Sequence, residues 1–380
     1  MEDFEETAVC FAALVLGVSC VAVTNWVFET EALLAVAGKP AEPKTAPIHH
    51  AALHDVRNSS WRVVLRAPQE CREAALRSMT RFDSGSFALL LREFSAAFFL
   101  RCGGGRPLRR VLYPEDMLGL ALTALASGDR GYELSFFFAL PPSTRSRYLG
   151  MSLLLLREAL NRIPEAQIIW PDECRQKELG RLVASRVPAL GCAFGALDGS
   201  IFDIQHQRGR KGRAYYNGHK CRNATKCIFV FGSDGTILYV AANLPGSWHD
   251  SHAAEMCNLY HLVDDTVRGG RCILADTAFR RGPRITCTCD QKALNHLSEL
   301  DANIARVASK IVSNVRILVE MSIGGLKDTF KILRHSLPKS TKAKESANLR
   351  ELVFDLCFRL WNYRVRRMHI SEVATLFGVN

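Results

Sequence analysis

The sequence predicts an α/β domain preceded by an all-helical region, and three observations carry that prediction. After Trp170-Pro171, short apolar runs bounded by turns follow one another in the order strand, strand, strand, helix, strand, long helix. The block before them, from Tyr113 to Asn161, has the rhythm of three helices joined by short turns. With 48% hydrophobic residues over 380 positions, the chain has the material for two or three domains, each with its own core.

Residues 8–28 form an apolar run nearly long enough to cross a bilayer. Glu2, Asp3, Glu5 and Glu6 make its start acidic, and Thr24-Asn25 interrupts it, so a buried helix is expected and no membrane partner. From Gly38 to about Asn58 the composition is that of a linker. Residues 70–99 read as two helical segments divided near Asp83-Ser84-Gly85, and Gly103-Gly104-Gly105 closes them. Pro114 opens the next helix, Gly128-Asp129 stops it, and Ser143-Thr144 are placed to cap a third after Pro141-Pro142. The spacing is that of a helix-turn-helix, with Arg145 and Arg147 on the opening turn of the candidate recognition helix, and a small all-helical packing domain fits the same residues. Farther on, Ala193–Leu197, Thr225–Phe231, Ile237–Ala242 and Cys272–Ala275 read as strands. Gly232-Ser233-Asp234-Gly235 makes a hairpin turn between the second and third, and Asp250 or Ser251 caps a following helix. These signals divide the chain into a helical region 1–110, a helix-turn-helix-like domain 111–172, an α/β domain 173–337 and a basic helical segment 338–380.

The formal net charge of +11 favours an acidic partner, nucleic acid before a membrane surface. The basic residues are concentrated. Arg208, Arg210, Lys211, Arg213, Lys220 and Arg222 lie in one acid-free stretch, and between Lys327 and Arg367 eleven Lys or Arg face only four acids. Such patches bind phosphates without reading sequence, and their binding weakens steeply with salt. The candidate DNA contacts are therefore Arg208, Arg210, Lys211, Arg213, Lys220, Lys327 and Lys331, with Arg145 and Arg147 from the helical block. Trp361-Asn362-Tyr363 with Arg364, Arg366 and Arg367 reads as a helix with a basic face, for DNA or for packing. The thirteen cysteines are scattered, without a CxxC pair, which excludes a zinc ribbon or disulfide framework and suits reduced thiols in the cytosol or nucleus.

Three acids stand out against this skeleton. Asp198 follows the first strand, Asp276 follows the fourth, and Glu320 lies on the last long helix. At about 100° per residue, Val319, Ile323, Leu326, Phe330, Leu333 and Leu337 share a core-facing stripe. Glu320, Gly324, Lys327, Lys331 and Arg334 share a second stripe on the flank, where a helix borders a cleft. Gly324-Gly325 costs a helix about 1 kcal/mol per glycine relative to alanine, which close approach by another group would offset. Carboxylates from separate elements are the hard anionic ligands that Mg²⁺ prefers, and two divalent ions about 4 Å apart serve the attacking and leaving oxygens of phosphodiester cleavage. Structural roles fit the same residues: Asp198 as a turn residue, Asp276 as a helix cap, Glu320 as an ion-pair partner of Lys327 or Lys331.

The segments "FGALDGS", "YYNGHK", "DGTILYVAANLPGSWHDS", "ILADTAF" and "VEMSIGGLKDTFKIL" occur in the order and at about the spacing of one family. From about Trp170 to its end the chain resembles the nuclease domain of PIF/Harbinger-type transposases and the nucleases derived from them. The resemblance implies an RNase H-like core, a mixed sheet with flanking helices, carrying a DDE triad that falls here on Asp198, Asp276 and Glu320. It implies two Mg²⁺ or Mn²⁺ ions on those acids. Asp250 matches the aspartate of the family's Gly-Ser-x-His-Asp motif, either as a further metal ligand or as the cap of its helix. Cleavage at transposon terminal inverted repeats, joining to target DNA, a nuclear location reached from the cytoplasm, a Myb/SANT-like partner and a homo-oligomer belong to the same expectation. Thr277-Ala278-Phe279 and Met321-Ser322-Ile323 depart from the family's usual residues but spare every carboxylate. A transposase-derived protein that binds DNA without cutting it is the alternative.

Overall fold

The computed structural model describes residues 55–102, 112–128, 131–206, 209–289, 294–337 and 344–369. The apolar stretch 8–28, most of the expected linker and the triple glycine at 103–105 lie outside the described residues. Among the described residues no helix is long and apolar enough to cross a membrane. The chain divides into two compact units, Met1–Ala159 and Leu160–Asn380.

The first unit is helical as expected: α1 (Ser60–Arg66), α2 (Gln69–Thr80), α3 (Ser84–Cys102), α4 (Pro114–Ser127), α5 (Gly131–Phe137) and α6 (Pro142–Asn161), the last running two residues into the second unit. Its centre is Trp61, fully buried, whose ring meets Phe87, Phe137 and Phe138. Trp61 also fills the space over Gly119 of α4, where a Cβ would stand 2.2 Å from the indole. Pro114 begins α4, the Asp116 carboxylate accepts the Tyr113 N–H at 3.0 Å, and Gly128 ends the helix in the left-handed region. Ser143 and Thr144 do not cap α6. The helix starts earlier, at Pro142, with the Arg145 N–H donating to the Pro141 carbonyl at 2.8 Å. Proline suits that first position because it has no N–H to leave unsatisfied there.

The second unit holds a mixed six-stranded sheet flanked by helices. Its strands are β1 (Ala193–Asp203), β2 (Tyr216–Asn217), β3 (Arg222–Gly232), β4 (Ile237–Pro245), β5 (Cys272–Ala275) and β6 (Ile285–Cys287). β3 lies antiparallel between β1 and β4, β5 and β6 extend the sheet in parallel from β1, and β2 adds a short pair at the start of β3. The helices are α7 (Glu173–Arg186), α8 (Gly209–Tyr215), α9 (Asp250–Met256), α10 (Leu259–Thr266), α11 (Glu299–Thr329) and α12 (Lys344–Met368). Strand alternation sorts the apolar residues into two layers. Leu197, Ile228, Val230 and Ile273 pack with Ala253, Leu259 and Val263 of α9 and α10 on one face. On the other, Phe202 and Phe229 make ring contacts with Phe354 and Phe358 of α12.

Two expected elements differ from their observed form. β1 does not end at Leu197 but continues six residues through Asp198, because Asp198 to Asp203 all keep antiparallel partners on β3. The last long helix stops at Thr329 instead of running to Leu337. Beyond a short 3₁₀ turn, the Leu337 N–H donates to Asp203 O and the Leu337 carbonyl accepts from Gln205 N, so the chain there serves the end of β1. The apolar stripe is nevertheless buried from Val319 to Leu337. Gly325 has the close neighbour expected of it, since a Cβ would stand 3.0 Å from the Trp361 ring, whereas Gly324 faces open space.

Trp361, Asn362 and Tyr363 are buried and pack α12 into the unit, while Arg367 on the same helix is exposed. Asn362 docks α12 on the edge of β4, accepting from the Ile237 N–H at 2.7 Å and donating to the Ile237 carbonyl at 2.9 Å. Asn362→Leu leaves both backbone groups buried without partners, so a loss of about 2–4 kcal/mol of unfolding free energy is expected by urea titration. A change below about 0.5 kcal/mol would show that α12 is held by its aromatic contacts alone.

Candidate active site at the centre of the sheet

Asp198 lies in the interior of β1, opposite Phe229 of β3. In the parallel pair of β1 and β5, Leu197 sits beside Ala275, and the next residue on each chain is an acid, Asp198 within β1 and Asp276 just past the end of β5. With Leu197 and Ala275 in the layer under α9 and α10, the pleat turns Asp198 to the opposite face, the one covered by α11. Glu320 stands on α11, with its side chain exposed. The register of two strands and one helix face thus brings the three acids into one region.

Arg316, one helical turn before Glu320 and buried, stands between two of them. Its guanidinium is 3.9 Å from the Asp276 Oδ1 and 3.9 Å from the Glu320 Oε1. Glu320 therefore pairs with Arg316, not with Lys327 or Lys331. Burial pushes the Asp198 carboxyl up to about 6; the charges of Asp250 and Glu320 add to the rise, while the Gly199 N–H and Arg316 oppose it. The Gly199 N–H donates to Asp198 Oδ1 at 2.9 Å, and the Thr277 N–H donates to Asp276 Oδ1 at 2.7 Å, which makes Asp276 the stop of a tight turn rather than a helix cap.

Asp250 approaches from the other side of the strand. A Cβ on Gly199 would stand 2.7 Å from the Asp250 Cγ and Oδ1, so β1 passes close to this carboxylate only because residue 199 is glycine. Asp250 does not cap its helix. His249 does, with its Nδ1 accepting the Ser251 N–H at 3.4 Å, and Asp250 takes the first helical position. Its carboxylate is bound by Lys226 Nζ, which also donates to the Trp248 carbonyl at 2.5 Å. Lys226 is 8% exposed and sits on β3 beside Ile201. Neither Lys226 nor Arg316 figured among the sequence-derived candidates. Both left a signal: a lysine inside the apolar run "TKCIFVF", and an arginine four residues before a glutamate on one helix face.

The candidate DNA contacts fare differently. Arg213, Lys220 and Lys331 are exposed. Arg208 lies outside the described residues, as do the side chains of Arg210 and Lys211. In the first unit Arg147 is exposed, while Arg145 donates to Ser135 Oγ at 3.3 Å. Lys327 is turned inward: its Nζ donates to Ser200 Oγ at 2.8 Å and to the Ile201 carbonyl at 3.2 Å, 4.5 Å from the centre of the Phe202 ring. Burial lowers its pKa from the ordinary lysine value.

The donor chemistry of the acid region suits a hard divalent cation, since carboxylate oxygens are the donors such an ion prefers and positive charge would relieve the repulsion that adds to the rise at Asp198. The spacing is open. Among the described residues no three His, Cys, Asp or Glu side chains are set to hold a metal ion as they stand.

Residues 197–362 match the DDE superfamily endonuclease family. The matched segment begins one residue before Asp198 and contains Asp250, Asp276, Arg316 and Glu320. The match points to a transposase-like nuclease, and the mixed sheet with its flanking helices is compatible with a nuclease core. No curated protein and no solved structure matches the chain.

Proposed function

We propose that this chain is a metal-dependent DNA endonuclease or transposase of the PIF/Harbinger type, with Asp198, Asp276 and Glu320 as its acids. The observation that carries the proposal is one buried arginine, Arg316, 3.9 Å from both Asp276 just past the end of β5 and Glu320 on α11 and bearing electrostatically on Asp198 of β1, inside the segment that matches the endonuclease family. The sheet supports an RNase H-like reading: three antiparallel strands extended by two parallel ones, with the acids at the junction. Asp198 within β1 and Asp276 just past the end of β5 would share one Mg²⁺ or Mn²⁺, and Glu320 would hold a second. When bound, the ions supply Lewis acidity at the scissile phosphate. The chain's own part is to keep Asp198 fixed within a strand, to leave Glu320 exposed on a helix flank, and to present Arg213, Lys220 and Lys331 to the DNA backbone. A helix-turn-helix role for α4 to α6, with Arg147 exposed on α6, fits recognition of terminal inverted repeats. A Myb/SANT-like partner, a homo-oligomeric assembly and a nuclear site of action complete the reading.

The decisive experiment is nicking of inverted-repeat duplex DNA by the full chain with Mg²⁺ or Mn²⁺ against a chelator control. Metal-dependent nicks at the repeat ends are expected, and specific binding without nicks would overturn the nuclease reading. The open spacing of the acids favours one competing reading, a transposase-derived DNA-binding protein without cleavage, and the same assay separates the two. The basic contacts have their own test. For non-specific duplex binding, Lys220→Gln and Arg213→Gln are each expected to reduce the slope of log K against log salt by about 0.9, the value for one lost phosphate contact. Lys327→Gln is expected to leave the slope unchanged and to lower the melting temperature, because its ammonium is spent on Ser200 and Ile201. An equal slope change for Lys327→Gln would show that it faces DNA.

A further inference from the structure

The buried arginine among the acids contrasts with two close guanidinium–carboxylate pairs of this unit. Arg175 holds Asp234 at 2.5 Å and Arg334 holds Asp328 at 2.5 Å, both as charge-assisted hydrogen bonds. Arg316 reaches Asp276 and Glu320 only at 3.9 Å, outside hydrogen-bonding range. Its Nε is buried and has no hydrogen-bond partner. A buried guanidinium usually satisfies its donors, because an unmade bond there carries the full desolvation cost. This one forgoes that, and it lies in the space between two acids of the proposed site while also drawing on Asp198 electrostatically.

We infer that Arg316 is a resident counter-cation: its guanidinium stands beside Asp276 and Glu320, where it supplies the positive charge that a divalent ion held by these acids would bring, and it withdraws when the ion binds. The inference rests on the metal-nuclease reading and adds a positioning residue to it. Near Asp198, Asp276 and Glu320 stand Arg316 and Lys327, with Lys226 behind β1 beside Asp250, and Lys327 is committed to Ser200 Oγ and the Ile201 carbonyl. Lys226 is committed to Asp250 and the Trp248 carbonyl, so it cannot serve the other three. Arg316 can, and the absence of a hydrogen bond on either acid leaves it free to move. Without its charge Asp276 and Glu320 would repel across the gap, which explains why a buried arginine is retained one turn before an exposed glutamate. With its charge in place, a dication must enter against a like charge, so Arg316 also sets how much free metal the protein needs.

Mn²⁺ titration of the full-length protein by calorimetry, in the absence of DNA, tests this. Arg316→Gln is expected to bind Mn²⁺ about ten-fold or more tightly than the native chain, the order set by removing a unit charge a few ångströms away at high effective dielectric. Arg316→Lys, which keeps the charge, is expected to stay near the native affinity. A folded Arg316→Gln protein with unchanged or weaker Mn²⁺ binding overturns the inference while native, Glu320-dependent Mn²⁺ binding leaves the nuclease reading intact. Absence of Mn²⁺ binding in both native and Arg316→Gln proteins overturns the two together. A measurement on the native protein avoids reliance on the variant's fold. The Arg316 Nε–H resonance, assigned by its loss in Arg316→Lys, is expected to shift and to exchange faster with solvent as Mg²⁺ is added. A resonance unmoved by saturating Mg²⁺ overturns the withdrawal.

Discussion

Asp198→Asn is expected to lower metal-dependent nicking by about three orders of magnitude or more while making the folded protein more stable at neutral pH. Both halves follow from one environment. The carboxylate sits inside β1, and burial together with the charges of Asp250 and Glu320 moves its pKa from 3.8 to about 6. Between about pH 4 and pH 6 the folded chain keeps a proton on Asp198 that the unfolded chain has released, so stability falls as pH rises through that window. Above about pH 6 the cost is complete, and the shift corresponds to up to about 3 kcal/mol. Asparagine has nearly the same shape, accepts the Gly199 N–H through its Oδ1 and carries no charge, so it escapes that cost. Urea titrations of both proteins at pH 4 and pH 8 check this: the variant should gain over the native chain at pH 8, and the gain should vanish at pH 4. A variant that nicks DNA at the native rate, or that is destabilised at pH 8, would remove Asp198 from the proposed chemistry.

Gly199→Ala is expected to cost about 3 kcal/mol or more and to abolish activity with it. The added methyl would lie 2.7 Å from the Asp250 carboxylate, and either β1 or Asp250 must move. β1 is held there by continuous antiparallel pairing with β3, Gly199 lying opposite Ile228, so Asp250 is the part that yields. Its displacement separates it from Lys226, leaving an ammonium that is 8% exposed with only the Trp248 carbonyl. A double-mutant cycle isolates the cause. In an Asp250→Ala background the methyl has room, and Gly199→Ala should cost much less than it does in the native chain. Equal costs in the two backgrounds would show that the glycine is required by the strand itself and not by the carboxylate behind it.

How much of this was legible in the sequence differs from element to element. The strand β5 was read to the residue, and the hairpin between β3 and β4 was evident from Gly232 to Gly235, because turn chemistry is local. The break between α2 and α3 was local in the same sense. β1 was read too short: Asp198-Gly199-Ser200 has the composition of a turn, and only its pairing with β3 keeps it extended. The end of α11 was misread for the complementary reason. The buried stripe runs on to Leu337, but the backbone leaves the helix at Phe330, where pairing with β1 replaces helical bonds. Lys327 shares a helical stripe with Lys331, and that stripe said nothing of the hydroxyl and carbonyl that draw one of them inward.

The sequence by itself singled out the three acids of the proposed site, because acids spaced along apolar segments and a basic flank are matters of residue type and order. It also determined the α/β order that sets them on a sheet. The tertiary structure alone decided what surrounds them, because strand register, the pleat and the clearance over a glycine arise from contacts between residues far apart in the chain. That is why Asp198 turned out to stand within a strand and not after it, why Asp250 is bound from behind by Lys226, and why Arg316 lies between Asp276 and Glu320.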